Sequence, residues 1–172
     1  VRSSITGGCL QVPNTLAVSP KVWLEGPYVQ ADGKMRDDLR AASLIPATEP
    51  YTALGFVHAA GGGGEQIAAN VLSVTGDNAI VDWVLVELRD VNAPFPILAT
   101  RSALLQRDGD VVAMDGSSAV VLQMAPGNYH VAIRHRNHFG AMTNSPVALG
   151  SAPLVVDFSS AATVAWGTNA RK

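Results

Sequence analysis

The chain reads as an all-β sandwich, and three observations predict it. Its apolar residues fall in short runs that alternate with polar ones, as in Tyr129-His-Val-Ala-Ile-Arg134, rather than at helical spacing. Turn signals separate the runs: Asp32-Gly33, Asp108-Gly109, Asp115-Gly116 and Pro126-Gly127. Over the second half, runs and turns recur roughly every ten residues, the rhythm of a sandwich. With 172 residues and a hydrophobic fraction of 48%, the chain can bury a core of its own as one domain.

Residues 1–19 are small and polar, with Gly7-Gly8 and Pro13. Leu10, Val12, Leu16 and Val18 share even parity, as one face of a strand would. This stretch is expected to be an extended N-terminal arm, able to pair at a sheet edge but with little core of its own. The sandwich proper is expected over 20–172.

Lys21 to Glu25 reads as a short strand closed by Gly26-Pro27. Met35, Leu39 and Ala42 have helical spacing, so Met35 to Leu44 is expected to hold the one short helical segment. Ile45-Pro46 to Glu49-Pro50 reads as loop, because each proline removes a donor and biases the residue before it. Gly61 to Gly64 reads as a flexible connector; it lacks the Gly-Lys-Ser/Thr ending of a phosphate loop.

Ile80 to Arg89 is the strongest strand. Val84, Val86 and Leu88 face one way; Trp83, Leu85, Glu87 and Arg89 face the other. Apolar residues on both sides predict a central strand with a covered outer face. Trp83 shares a face with Glu87 and is expected on the less buried side. Ile97 to Gln106, Asp110 to Met114 and Ala119 to Met124 follow as strands. The run from Tyr129, Leu154 to Phe158, and Thr163 to Trp166 complete the set.

Composition narrows the function. Charged residues make up 15% of the chain, well below the usual quarter, which predicts a surface partly covered by other protein. A net charge of -2 gives no reason to expect nucleic acid or an anionic membrane as partner. No apolar run is long enough to cross a membrane. Cys9 is the one cysteine, so it has no partner for an internal disulfide.

The candidate chemistry centres on Arg134-His-Arg-Asn-His138. Arg134, Arg136 and His138 suit a carboxylate, sulfate or sugar, because guanidinium pairs such groups bidentately. Alternatively, Arg134 pairs across strands with Glu87 or Asp82, and Asn137 and His138 cap a turn. His135 and His138 are three apart, but a zinc site needs three or four ligands, and no metal is expected. Asp108, Asp110 and Asp115 offer oxygens without the EF-hand spacing and read as hairpin turns. Trp23, Trp83 and Trp166 suit sugar stacking or plain packing. No Gly-x-Ser-x-Gly elbow is present, and the adjacent Asp37 and Asp38 do not converge as a catalytic pair. The chain is therefore expected to be no enzyme, with no catalytic residue and no cofactor.

Three strings resemble a module of large secreted and surface proteins of bacteria, haemagglutinin-like or adhesin-like. They are Val81-Asp-Trp-Val-Leu-Val-Glu-Leu-Arg-Asp90, Ser102 to Val112, and Tyr129 to His138 with Met142-Thr143. The resemblance covers roughly residues 20–158. More loosely, the strand, Asp-Gly turn, strand, Pro-Gly-x-Tyr order is similar to transthyretin-like and collagen-adhesin B-type immunoglobulin-like modules. The resemblance implies an immunoglobulin-like sandwich, an extracellular bacterial setting and a structural or adhesive role, with no active site to carry over.

The expected function is a self-assembling subunit of a surface filament. The arm would add a strand to a neighbouring copy, with Leu10, Val12, Leu16 and Val18 filling pockets. The alternative is a carbohydrate-binding or cell-adhesion module using Trp23 or Trp83 and the Arg134–His138 loop.

Overall fold

The computed structural model describes residues 14–168 and Ala170. In chain order the strands are β1 (Leu16–Lys21), β2 (Tyr28–Val29), β3 (Lys34–Met35), β4 (Ile80–Arg89), β5 (Ile97–Gln106) and β6 (Val111–Val112). β7 (Val120–Leu122), β8 (Gly127–Arg134), β9 (Ala141–Met142), β10 (Val147–Leu149) and β11 (Leu154–Asp157) follow. The α-helical turn α1 (Asp38–Ala41) lies inside the stretch expected to hold the one short helical segment, and two 3-10 turns, Val71–Ser73 and Gly76–Asn78, precede β4 as well. The protein is all-β.

The large sheet runs β10-β8-β4-β5-β6, with β9 also on β8; the small sheet runs β11-β1-β7. β2 and β3 form a separate hairpin. β4 pairs antiparallel with β5 on one side and β8 on the other, which makes it the central strand. Between the two sheets lies one core. Val84, Val86 and Leu88 of β4 and Val131 and Ile133 of β8 meet Leu16 and Val18 of β1 and Val120, Leu122 and Val156 of its neighbours.

The opposite face of β4 has a core too. Trp83, Leu85 and Leu104 lie beneath Ile45, Tyr51 and Val71 from the long connection between β3 and β4. Period-two alternation thus divides β4 between two apolar clusters, as the doubly apolar sequence of that strand required. Two hydrogen bonds fasten the covering segment. Tyr51 Oη donates to Trp83 O at 2.8 Å, and Trp83 Nε1 donates to Pro46 O at 2.9 Å. Burial pushes the Tyr51 hydroxyl well above its ordinary pKa, so it stays a neutral donor.

Several expectations change. Trp83 is fully buried, not on a less buried side, because the loop over 45–71 closes on it. Residues 16–19 are not a free arm: Leu16 and Val18 are buried in this chain's own core, and β1 is held on both sides. Leu10, Val12 and Cys9 lie outside the described residues. The first strand ends at Lys21, so residues 22–25 follow it rather than form it. Near the C-terminus a single bridge, Thr143 to Ala165, replaces the expected strand over 163–166.

Candidate functional site

The cation cluster is built where β8 leaves its ladder with β4. The last paired residue is Arg134, opposite Leu85. Beyond it, the Asp82 carboxylate takes over. Arg136 grips it with Nη1 at 2.8 Å and Nη2 at 2.7 Å, His135 Nε2 lies 3.1 Å away, and the Trp83 amide donates at 2.8 Å. Burial works against ionising Asp82, yet His135, Arg136 and the Trp83 amide outweigh it and hold its pKa below the ordinary carboxylate value.

The proton positions follow from the donors. Asn137 N–H donates to His135 Nδ1 at 3.1 Å, so that nitrogen is an acceptor. The proton between the two rings then sits on His138 Nδ1, 2.9 Å from His135 Nδ1. His135 keeps its own proton on Nε2, aimed at Asp82. Burial, and after it the neighbouring His135, lowers the His138 pKa. Arg136, His135 and His138 therefore form a closed staple that fixes the loop onto β4.

Arg134 takes a different partner. Its Nη1 lies 3.5 Å from Glu87 Oε1, and its guanidinium sits 5.0 Å over the Phe56 ring. Arg89 holds the other Glu87 oxygen, with Nε at 2.8 Å and Nη2 at 2.6 Å. Glu87 is wholly buried between two arginines. The cross-strand pairing of Arg134 with Glu87 is one of the two alternatives read from the sequence.

A second polar cluster was not legible in the sequence. β6 pairs with β5 only at Leu104 and Leu105, which leaves the rest of that β5 edge without a strand. The glycine tract covers it. Ala59 O accepts from Thr100 N at 3.0 Å, and a Glu65 oxygen accepts from Ser102 N at 3.3 Å. Gly62 lies so close that a Cβ there would be 2.5 Å from Thr100 O. Gly63 N–H donates to Glu65 and Gly64 N–H to Glu49. The tract expected to be a flexible connector is thus an edge cover, the device that keeps a sheet edge from pairing elsewhere.

Glu49 is buried and accepts from Tyr51 N at 2.7 Å, Thr52 N at 3.1 Å and the Thr52 hydroxyl. Burial opposes its ionisation, but these donors and Gly64 N–H hold its pKa low. The Thr52 hydroxyl also lies 3.0 Å from His58 Nε2. Its single proton goes to Glu49, so His58 donates to Thr52 instead of accepting from it. That order of donors is the reverse of a base activating a nucleophile.

The remaining sequence candidates have structural partners. Trp23 is half-buried, 5.0 Å from the Tyr28 ring, with Lys21 Nζ 5.6 Å over its face and its edge against Gly109. Asp108 Oδ1 accepts from Asp110 N, Asp110 pairs with Lys21, and Asp115 caps Ser117 and Ser118. These are the turns the Asp-Gly pairs predicted. Among the described residues no three His, Cys, Asp or Glu side chains converge as metal ligands. No helix among them is long and apolar enough to cross a membrane.

Comparison with protein-family models, with curated proteins and with solved structures returned no match to this chain.

Proposed function

We propose that this chain is a non-enzymatic, extracellular structural protein of a bacterial surface, an immunoglobulin-like sandwich that assembles by strand addition. The observation that carries the reading is the contrast between the two sheets. The large sheet has the Trp83 half of its outer face covered and an open edge plugged by the glycine tract. On the small sheet, β11 is an end strand among the described residues, with Val155 67% and Leu154 38% exposed. Val121 of β7, 45% exposed, lies on the same outer face as Val155, by the pairing of Ala17 with Val121 and Ser19 with Val155. An apolar strand edge of this kind is a template for another chain.

The occupant proposed is the N-terminal segment of a second copy. It precedes β1 directly, carries Leu10 and Val12 at alternate positions, and has no charged residue between Ser3 and Pro13. Leu16 and Val18 stay with their own core. The donated segment is therefore shorter than the arm read from the sequence. Removing residues 1–13 tests this by light scattering across a concentration series. Loss of assembly with an unchanged fold is expected; a truncated chain that still polymerises refutes strand donation.

A second reading, a carbohydrate-binding or adhesion module, has its own supporting observation. Trp83 is closed to a ligand and Trp23 is occupied by Lys21 and Tyr28, but Trp166 stands half-exposed beside two arginines.

A further inference from the structure

The outer face of the large sheet has two halves. One lies under the Trp83 cluster. On the other, Arg89 is opposite His130 and Glu87 opposite Ala132, and the covering loop stops short. A cavity of about 220 Å³ opens there, lined by Glu87, Arg89, Ala132, Arg134, Met142 and Trp166 among others.

Three features give this cavity a chemical character. First, its charge is unbalanced: two guanidiniums share the single Glu87 carboxylate, leaving one formal positive charge. Arg134 stacks on Phe56 and makes one long hydrogen bond, 3.5 Å to Glu87, and its side chain stays 44% exposed, so its remaining donors are open. Second, the cavity's lining includes one aromatic side chain, Trp166, which Phe95 braces from outside that lining. Trp166 meets Phe95 edge-on at 4.7 Å, and Phe95 meets the buried His130 at 5.0 Å. Phe95 is held there with φ of 58°, a backbone conformation that costs a non-glycine residue energy. Third, Phe139, fully exposed, precedes Gly140 on the cavity's rim.

An aromatic face beside a guanidinium with free donors recognises a flat apolar ring face that carries an anion. We propose that this cavity binds a sugar ring bearing a carboxylate, a uronate residue of an acidic polysaccharide. The C–H face of the ring lies on Trp166, and the carboxylate takes the open donors of Arg134. Arg89, tied to both Glu87 and the carbonyl of Phe95, positions Glu87 and the residue that braces Trp166. The cavity is open to solvent and, at about 220 Å³, smaller than the usual ~300–1,000 Å³ of a drug-sized pocket. The inference deepens the binding-module reading and is independent of assembly.

The test is tryptophan fluorescence titration of the full chain with short oligomers of glucuronate, galacturonate and mannuronate. Neutral oligomers of equal length and free acetate serve as comparisons. At least one uronate oligomer is expected to bind at least about tenfold more tightly than its neutral counterpart, as one charge-assisted contact implies. Arg134→Gln should abolish that preference without changing the circular dichroism spectrum. Trp166→Phe should remove most of the fluorescence response and leave binding detectable by calorimetry. Equal binding of acidic and neutral sugars, untouched by Arg134→Gln, would overturn this site and keep the binding-module reading. Equal binding of acetate would show a simple anion site and overturn the sugar assignment. Binding of none of the sugars at millimolar concentration would overturn both.

Discussion

Asp82 and Glu87 sit five residues apart on β4, and each is a buried carboxylate with two basic partners. Their surroundings divide them. Asp82 receives a bidentate guanidinium, an imidazole N–H and a backbone N–H, so no basic partner there keeps a free role. Glu87 receives one tight guanidinium and one loose one, and the loose one looks into a cavity. The same residue types make a staple in one place and an open electrostatic surface in the other. What differs is whether the chain continues its ladder: Arg134 is still in β8, whereas His135 and Arg136 have left it.

Breaking the staple should have the largest effect. Asp82→Ala leaves Arg136, His135 and the Trp83 amide without their acceptor in a buried place. It should cost about 3–5 kcal/mol in a urea unfolding titration, because an uncompensated buried charge is left behind. A cost below about 1 kcal/mol would mean that the staple is not formed in solution. Glu87→Gln should cost less, about 1–2 kcal/mol, since Arg134 and part of Arg89 already reach solvent. It should also strengthen uronate binding, because removing the carboxylate leaves both guanidiniums unneutralised. If both substitutions cost the same, the contrast between the two sites is unfounded.

The staple also makes stability depend on pH. His138 has its pKa lowered from an ordinary 6.5 when folded, so the unfolded chain takes up its proton first. Its contribution to stability is complete above that value and is lost as pH falls through the folded pKa. Asp82 has its pKa lowered from 3.8, so its contribution is present above that value and lost as pH falls further. Stability should therefore fall in two stages on acidification. His138→Gln should remove the first stage alone, read from thermal midpoints across the pH range. The smallest effect is expected for Arg134→Gln, within about 1 kcal/mol in the same titration, as for other half-exposed ion pairs.

The sequence was most legible where period-two alternation is unbroken. β4 and β5 have the expected bounds, and the doubly apolar β4 has both faces buried. It was least legible where contacts join distant positions. Arg136 and Asp82 are 54 residues apart, and Ser102 and Glu49 are 53 apart, with no spacing signature to link them. Residues 1–19 look like an arm because Pro13 and Asn14 interrupt their pattern. Yet Pro20, which has no N–H to give, is accommodated within β1 opposite Val156. The glycine tract looked flexible because its role is close approach to Thr100, which a sequence does not display. The alternation over 163–166 predicts a strand, but the chain there makes a single bridge, and the bracing of Trp166 by Phe95 joins positions 71 residues apart.

The most direct test of the assembly account is negative-stain electron microscopy of the full chain beside Val155→Lys. That substitution places a charge on the exposed β11 edge without touching the core. The account predicts regular filaments from the full chain at near-physiological salt and dispersed small particles from the variant. Dispersed particles from both, or filaments from both, would contradict it.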